Sequence, residues 1–170
     1  DGERTAARAR RSIQRMEGFR SGRLKASQVF APEEMARTMA LCDLLGTTSA
    51  MDWWNLRFLV DSVSGELVPI VMHTTAHAPA QSIMAEHNGE TLRTGREVVD
   101  RALADPVILG LYMACLDTFS GEGWWEVARE RTRPEWDAAR RVVNAEFPRM
   151  DLDAGVVEHD RKVIRQALYP

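Results

Sequence analysis

The pattern that most constrains this chain is an apolar helical segment followed directly by two short β-rich runs. Ala31-Pro32-Glu33-Glu34 is a helix start, since Pro fits the first turn and acidic side chains complement the positive end of the helix dipole. Apolar residues then recur at helical spacing as far as Leu45, and Gly46 ends the run. We therefore predict a core helix at this position.

The segment after Gly46 predicts an antiparallel hairpin. Thr47 to Asp52 is polar and predicts a loop, and apolar residues then alternate from Trp53 to Val60 as in a half-buried strand. Residues 61–65 read Asp-Ser-Val-Ser-Gly, which is turn chemistry, and Glu66 to Met72 is a second β-rich run. We place the hairpin at about residues 54–72. Because an isolated hairpin is marginally stable, it should pack on the preceding helix.

The remainder of the chain predicts helices. Asp105-Pro106 is a second helix start with an acidic cap, and Gly121 and Gly123 end that helix. Further helices are predicted at residues 4–17, 80–86, 96–104, 124–130 and 133–146, and from a cap at Asp153 to Leu168. The order predicts an α+β, mostly α fold. Residues 1–27 form a basic N-terminal helix and linker, and residues 28–170 form a helical lobe that carries the hairpin.

Charge and composition narrow the expected partners. Residues 1–25 hold eight Lys and Arg against three Asp and Glu, although the whole chain has a net charge of −3. A basic segment can bind nucleic acid, but this one lacks interleaved aromatic residues, so a solvated helix is the preferred interpretation. No apolar run approaches the ~20 residues needed to cross a bilayer, so no membrane partner is expected. Cys42 and Cys115 are expected to be buried free thiols.

The common catalytic signatures are absent from the sequence. It contains no P-loop, no Rossmann glycine fingerprint, no His-Glu-x-x-His zinc motif and no Gly-x-Ser-x-Gly nucleophile elbow. Asp52 and Asp61 flank the first predicted strand, and either is a candidate base, although turn and capping roles are common for such residues.

Residues 18–170 nevertheless resemble a known family. The helix from Val29 to Gly46 ends in Leu-Leu-Gly, an Asn-bearing strand follows, and the second strand carries Pro69-Ile70. The chain closes on Ile-Arg-Gln-Ala-Leu-Tyr-Pro at residues 164–170. In this order and spacing, these pieces resemble the helical part of the spore-coat CotH kinase-like family. The resemblance implies an atypical kinase-like fold.

The resemblance also implies a chemistry and a set of site residues. The family is associated with ATP-dependent phosphorylation of protein substrates, so ATP, Mg²⁺ or Mn²⁺ and a protein partner are expected. Asn55 matches an Asn that could hold the metal or order a loop, and it is a catalytic candidate together with Asp52, which is proposed above from its position beside the strand. His73 stands where the family has a metal-binding Asp, and Ser49 stands where related sequences carry an acid or His. The family also points to the bacterial cytoplasm or a cell or spore surface.

Two departures keep two hypotheses open. Imidazole is a poor ligand for Mg²⁺, which puts the metal role of His73 in doubt, and residues 1–27 are too few for a β-rich nucleotide-binding lobe. The chain is therefore either part of a phosphotransferase completed by such a lobe or a kinase-like module that binds a partner without chemistry. A zinc-like site at His73 and His77 is disfavoured, because Pro79 argues against a helix there. The sequence predicts no oligomeric state.

Overall fold

The computed structural model describes residues 2–71, 79–87, 96–146 and 155–170. Within these ranges, seven α-helices and one two-stranded antiparallel sheet confirm the predicted α+β, mostly α class. The helices are α1 Gly2–Arg20, α2 Pro32–Leu44, α3 Glu97–Leu103, α4 Pro106–Ser120, α5 Trp124–Arg131, α6 Arg133–Glu146 and α7 Gly155–Leu168. The strands are β1 Arg57–Val60 and β2 Leu67–Ile70, and short 3₁₀ turns cover Ala26–Gln28, Thr48–Met51 and Met84–His87.

The core is built on the packing of α2 against α4, with α7 against both helices. Helix α2 is buried around much of its circumference, which explains why its apolar residues occupy more than one helical stripe. Ala36 and Ala40 are fully buried, and such small side chains let a neighbouring helix approach closely. The buried residues of α4 are Ile108, Tyr112, Leu116, Phe119 and Ser120.

The predicted stop at Gly46 is a left-handed helix cap. Gly46 has a φ of 60°, which a residue without a Cβ adopts at little cost. The amide of Thr47 donates to the Cys42 carbonyl at 2.8 Å, and that of Gly46 donates to the Asp43 carbonyl at 3.2 Å. These bonds satisfy carbonyls at the end of α2 and turn the chain back towards the core.

The hairpin is shorter than the sequence predicted. Strand β1 begins at Arg57, whereas the alternating pattern placed its start near Trp53. That part of the prediction is wrong because the amides of Asn55 and Leu56 both donate to the Asp52 carbonyl, which folds residues 52–56 into a turn. The register pairs Arg57 with Ile70 and Val60 with Leu67.

Aromatic contacts attach the hairpin and α1 to the core. The rings of Phe30 and Phe58 stack with their centroids 5.2 Å apart, and Phe19 meets Phe30 edge-on at 4.9 Å. The guanidinium of Arg15 donates to the carbonyls of Gly65 and Gln28. The C-terminal end of α1 is therefore part of the same core as the hairpin, although its sequence alone offers only a thin apolar stripe.

The two cysteines differ in exposure. Cys42 is buried, as expected, and burial raises the pKa of its thiol to about 11. Cys115 is only partly buried, so the expectation of a buried thiol is wrong there, because its side of α4 is incompletely covered.

Among the described helices, none alone is long and apolar enough to cross a membrane, and the pair α3–α4, which passes that test jointly, is bent by 95°.

The cap of α4 yields a stability prediction. Asp105 accepts from the Val107 amide at 3.1 Å and from the distant Ser27 amide at 2.8 Å, so it joins a helix start to the 3₁₀ turn at Ala26–Gln28. Asp105→Ala should lower the free energy of unfolding by about 1–2 kcal/mol in urea titrations. Asp105→Asn keeps an acceptor oxygen and should lose less. Equal stability of the Ala variant and the wild type would contradict this cap.

Candidate functional site

The candidate site is the loop at residues 47–56, between α2 and β1. The 3₁₀ turn of this loop packs on the core, because its neighbourhood includes three buried residues, Thr47, Ala50 and Met51. The amide of Asp52 donates to the Ser49 carbonyl at 3.1 Å and ends that turn. The predicted loop is therefore present, and its geometry is fixed by its own hydrogen bonds and by two apolar anchors.

Asn55 closes this loop through its side chain. Its Nδ2 donates to the Ser49 carbonyl at 2.8 Å, and its backbone amide donates to the Asp52 carbonyl at 2.9 Å. The residue lies two positions before β1, not on the strand as the sequence predicted. This hydrogen bond uses Nδ2 and thereby orients the amide group. The other amide atom, Oδ1, is the one that could bind a hard cation.

Asp52 is the acidic member of the same loop. Its carboxyl is partly buried, and desolvation raises its pKa above the usual range, while the positive charge of Arg96 acts in the opposite direction. A carboxylate with a raised pKa accepts a proton more readily, which is the property a general base needs. The loop thus brings together Ser49, Asp52 and Asn55, three of the positions that the sequence singled out.

Asp61, at the other end of β1, has a different role. Its Oδ1 accepts from the amides of Ser64 at 2.8 Å and Val63 at 2.7 Å, and these bonds lower the pKa of the carboxyl. This is the turn-stabilising function that Asp often performs. Of the two aspartates that flank β1, Asp52 is therefore the one left as a candidate for chemistry.

The remaining predicted ligand, His73, lies outside the described residues, as does His77. The last described residue after β2 is Val71. Across the described ranges, no group of three or more His, Cys, Asp or Glu side chains is arranged to hold a metal ion. The metal role of His73 stays a prediction.

The sequence reasoning missed a buried acidic pair next to this loop. Asp43 of α2 is 1% exposed, and its Oδ2 accepts from the Tyr112 hydroxyl of α4 and from the Met84 amide at 3.3 Å. Burial raises the pKa of the Asp43 carboxyl to about 7, although both hydrogen bonds act to lower it. One side chain therefore joins α2, α4 and the 3₁₀ turn at Met84–His87.

Asp160 of α7 is the second member of the pair. It is fully buried, its Oδ1 accepts from the Ala80 amide at 2.8 Å, and burial raises its pKa. Its negative charge raises the pKa of Asp43, whereas the charge of Arg96 lowers it. Within the described residues, Asp43 Oδ1, Asp160 Oδ2 and Arg96 Nη2 are buried without a hydrogen-bond partner.

A sequence signal for this pair existed. Asp43 follows Met39 by four positions within the apolar run of α2, and Asp160 lies between the buried residues Val157 and Ile164 of α7. An acidic residue at a core-facing helical position needs a buried partner, so each of them marks a polar contact inside the fold. Their partners are distant in sequence, which is why spacing alone did not reveal them.

Arg96 connects the buried pair to the candidate loop. It immediately precedes α3, and its charge lowers the pKa of both Asp52 and Asp43. One positive charge therefore acts on an acid of the loop and on an acid of the core.

A surface cleft of about 310 Å³ adjoins the loop at Trp53. The guanidinium of Arg20 lies 5.2 Å from the centre of the Trp53 ring, which is the geometry of a cation–π contact. Two basic and two acidic side chains line the cleft, so its charge favours no one class of ligand. Its lining residues are Glu17, Phe19, Arg20, Ser21, Trp53, Glu97, Val98 and Arg101.

Comparisons with known proteins do not assign a family. No protein-family model matches the chain, and no significant match was found among curated proteins or solved structures.

The buried Asp43 predicts a pH-dependent stability. An unfolded Asp carboxyl has a pKa near 3.9, whereas that of folded Asp43 is about 7. Between these values the folded state binds more protons, so stability falls as pH rises from about 4 to about 7. Asp43→Asn cannot ionise, and its stability relative to wild type should rise across this window by up to about 1.4 kcal/mol per pH unit.

Urea titrations at pH 5, 6, 7 and 8 measure this difference. Glu122→Gln, which removes one exposed carboxylate, is the control for the loss of a negative charge at the surface. Parallel stability profiles for the wild type and Asp43→Asn would show that burial does not shift the titration of Asp43.

Proposed function

We propose that this chain is the helical lobe of a CotH-type kinase-like domain, related to ATP-dependent phosphorylation of protein substrates. The loop at residues 47–56 corresponds in this proposal to the loop that positions the phosphoryl-accepting hydroxyl and the metal. The proposal rests on the sequence resemblance and on one structural observation, which is the closure of that loop by Asn55.

The Asn55–Ser49 hydrogen bond carries the proposal because a side chain that binds a metal must be held in one orientation, although the same bond also stabilises the local turn. It fixes the amide of Asn55 in a loop whose other end is anchored by the buried Met51. Asp52 lies in the same turn with a raised pKa. Phosphoryl transfer needs a group that orients the attacking hydroxyl and oxygen ligands for a metal, and this loop carries an acid and an amide of those types.

Asn55 fits a hard cation in its donor chemistry. Its Oδ1 is an oxygen donor, which Mg²⁺ and Mn²⁺ prefer, and Mg²⁺ often uses only one or two protein ligands beside phosphates. When bound, such an ion would neutralise charge on the transferred phosphoryl group. Asp52 would orient the substrate hydroxyl and accept its proton, and the Ser49 carbonyl would hold the amide of Asn55 in place.

A second candidate function is partner binding without chemistry. It is favoured by His73, because an imidazole replaces the carboxylate that the resemblance leads one to expect after Pro69-Ile70. It is also favoured by the exposed apolar side chains on and beside the hairpin, since such patches mark interaction surfaces. These exposed residues are Trp54, Leu59, Val60, Val63 and Val71.

Calorimetric titration of the longest natural chain that contains this lobe with ATP and Mn²⁺ separates the two functions, because kinase-like binding of ATP also needs the nucleotide-binding lobe. We expect His73→Asp to bind Mn²⁺–ATP at least about tenfold more tightly than the wild type, because a carboxylate replaces a poor ligand, and tenfold is about 1.4 kcal/mol. Adding Asn55→Ala to that variant should remove the gain. Adding Asp61→Asn is the matched control, since Asp61 flanks the same strand but serves its turn.

The outcomes are distinguishable. Binding to wild type and variant supports the phosphotransferase, and binding only to His73→Asp supports a module whose site has lost its activity. If neither protein binds nucleotide with Mg²⁺ or Mn²⁺, the kinase-like proposal is rejected. A gain that survives Asn55→Ala would exclude the loop as the metal site.

A further inference from the structure

The outer edge of β1 is open in the part of the chain that the structure describes. The sheet has two strands, and the only further bridge joins Phe30 to Leu67 on the far side of β2. There, the Leu67 amide donates to the Val29 carbonyl and the Leu67 carbonyl accepts from the Ala31 amide, both at 3.0 Å. One edge of the hairpin is therefore covered, and the edge formed by β1 is the one available for pairing.

The register identifies which backbone groups of β1 face outward. In an antiparallel ladder, residues alternate between those bonded to the partner strand and those pointing away from it. The backbone N–H and C=O of Leu67 point away from β1, and by the alternation the backbone C=O of Pro69 does as well. The backbone groups of their cross-strand partners, Val60 and Phe58, therefore point away from β2. The N–H and C=O groups of Phe58 and Val60 are thus presented at the open edge.

The solvent face of β1 carries a charge pattern that is complementary to itself. Arg57, Leu59 and Asp61 lie two residues apart and so share the face opposite Phe58, which packs on Phe30. Arg57 and Asp61 are exposed, and Leu59 is 61% exposed. If a second copy of this strand lies antiparallel to the first, each positive end faces a negative end and the apolar residues face each other. In a parallel arrangement, like charges would face each other.

We propose that β1 pairs with β1 of a second copy of this chain, antiparallel and two-fold symmetric about Leu59. The backbone N–H and C=O groups of Phe58 then form hydrogen bonds with those of the partner's Val60, so these two residues are a hydrogen-bonded pair of the new ladder. Arg57 faces the partner's Asp61 at a non-hydrogen-bonded position, where Cα atoms are about 4.5 Å apart. Leu59 meets the partner's Leu59 on the axis, and the two hairpins form one four-stranded sheet.

The existing hydrogen bonds of these residues are compatible with the pairing. Arg57 uses Nη1 for the carbonyls of Trp54 and Leu56, and Asp61 uses Oδ1 for its turn. The other guanidinium nitrogens and Asp61 Oδ2 can therefore form the intersubunit ion pair. Strand β1 also lacks the Lys or Pro residues with which edge strands commonly prevent such pairing. Because the strand is short, the dimer is weak and depends on concentration.

Sedimentation equilibrium on the full chain over a concentration series tests the proposal. The wild type should approach twice its monomer mass at high concentration. Arg57→Asp replaces two ion pairs by two repulsions and should weaken dimerisation about tenfold or more. Leu59→Lys places two ammonium groups on the axis and should do the same. Arg57→Asp also removes the bonds of Arg57 to the Trp54 and Leu56 carbonyls, whereas Leu59→Lys removes no such bond, so circular dichroism checks that each variant is folded.

A mixing experiment tests the register itself. Arg57→Asp and Asp61→Lys should each dimerise poorly alone, but an equimolar mixture should form a heterodimer, because each Asp then faces a basic residue. Should Asp61→Lys not fold, Arg57→Asp and Leu59→Lys still decide the question. A wild type that stays monomeric, or a dimer unaffected by these two changes, overturns the proposal, and a failed mixture of folded variants overturns the antiparallel register.

Discussion

Helix α2 lies against α4, and the hydrogen bond from the Tyr112 hydroxyl to Asp43 is the polar contact inside that packing. The other parts of the fold are arranged around it. The candidate loop leaves the C-terminal end of α2, the hairpin rests on Phe30 just before its N-terminal end, and α7 brings Asp160 to the same interior. Once α2 is fixed against α4, the position of each of these segments follows.

The candidate site therefore depends on the core more than on its own sequence. Buried Ala50 and Met51 hold the 3₁₀ turn, and the charge of Arg96 lowers the pKa of both the loop acid Asp52 and the core acid Asp43. Burying a carboxyl group is costly unless it is paired or protonated, so this arrangement links the electrostatics of the loop to the protonation of the interior. The proposed chemistry at Asp52 would be sensitive to changes in the core for that reason.

Features with a local physical cause could be predicted from the sequence. The starts of α2 and α4 follow from Pro at the first turn, the end of α2 from a Gly that takes a positive φ, and the hairpin turn from Asp61 to Gly65. The start of β1 could not be predicted correctly. Apolar alternation continues back to Trp53, but the Asp52 carbonyl accepts two amides and holds residues 52–56 in a turn. Periodicity carries no information about that competing bond.

The sequence by itself determined the mostly helical class and the hairpin, because helix caps, turns and residue types act over a few neighbouring positions, and it nominated Asp52 from its place beside the first strand and Asn55 from the family resemblance. Only the tertiary structure decided what those residues do. It gave Asn55 the Ser49 carbonyl as a partner, assigned Asp61 to the turn, and joined Asp43 to Tyr112 across 69 positions of sequence. Burial and distant hydrogen bonds set these roles, and both arise only when segments far apart in the chain pack together.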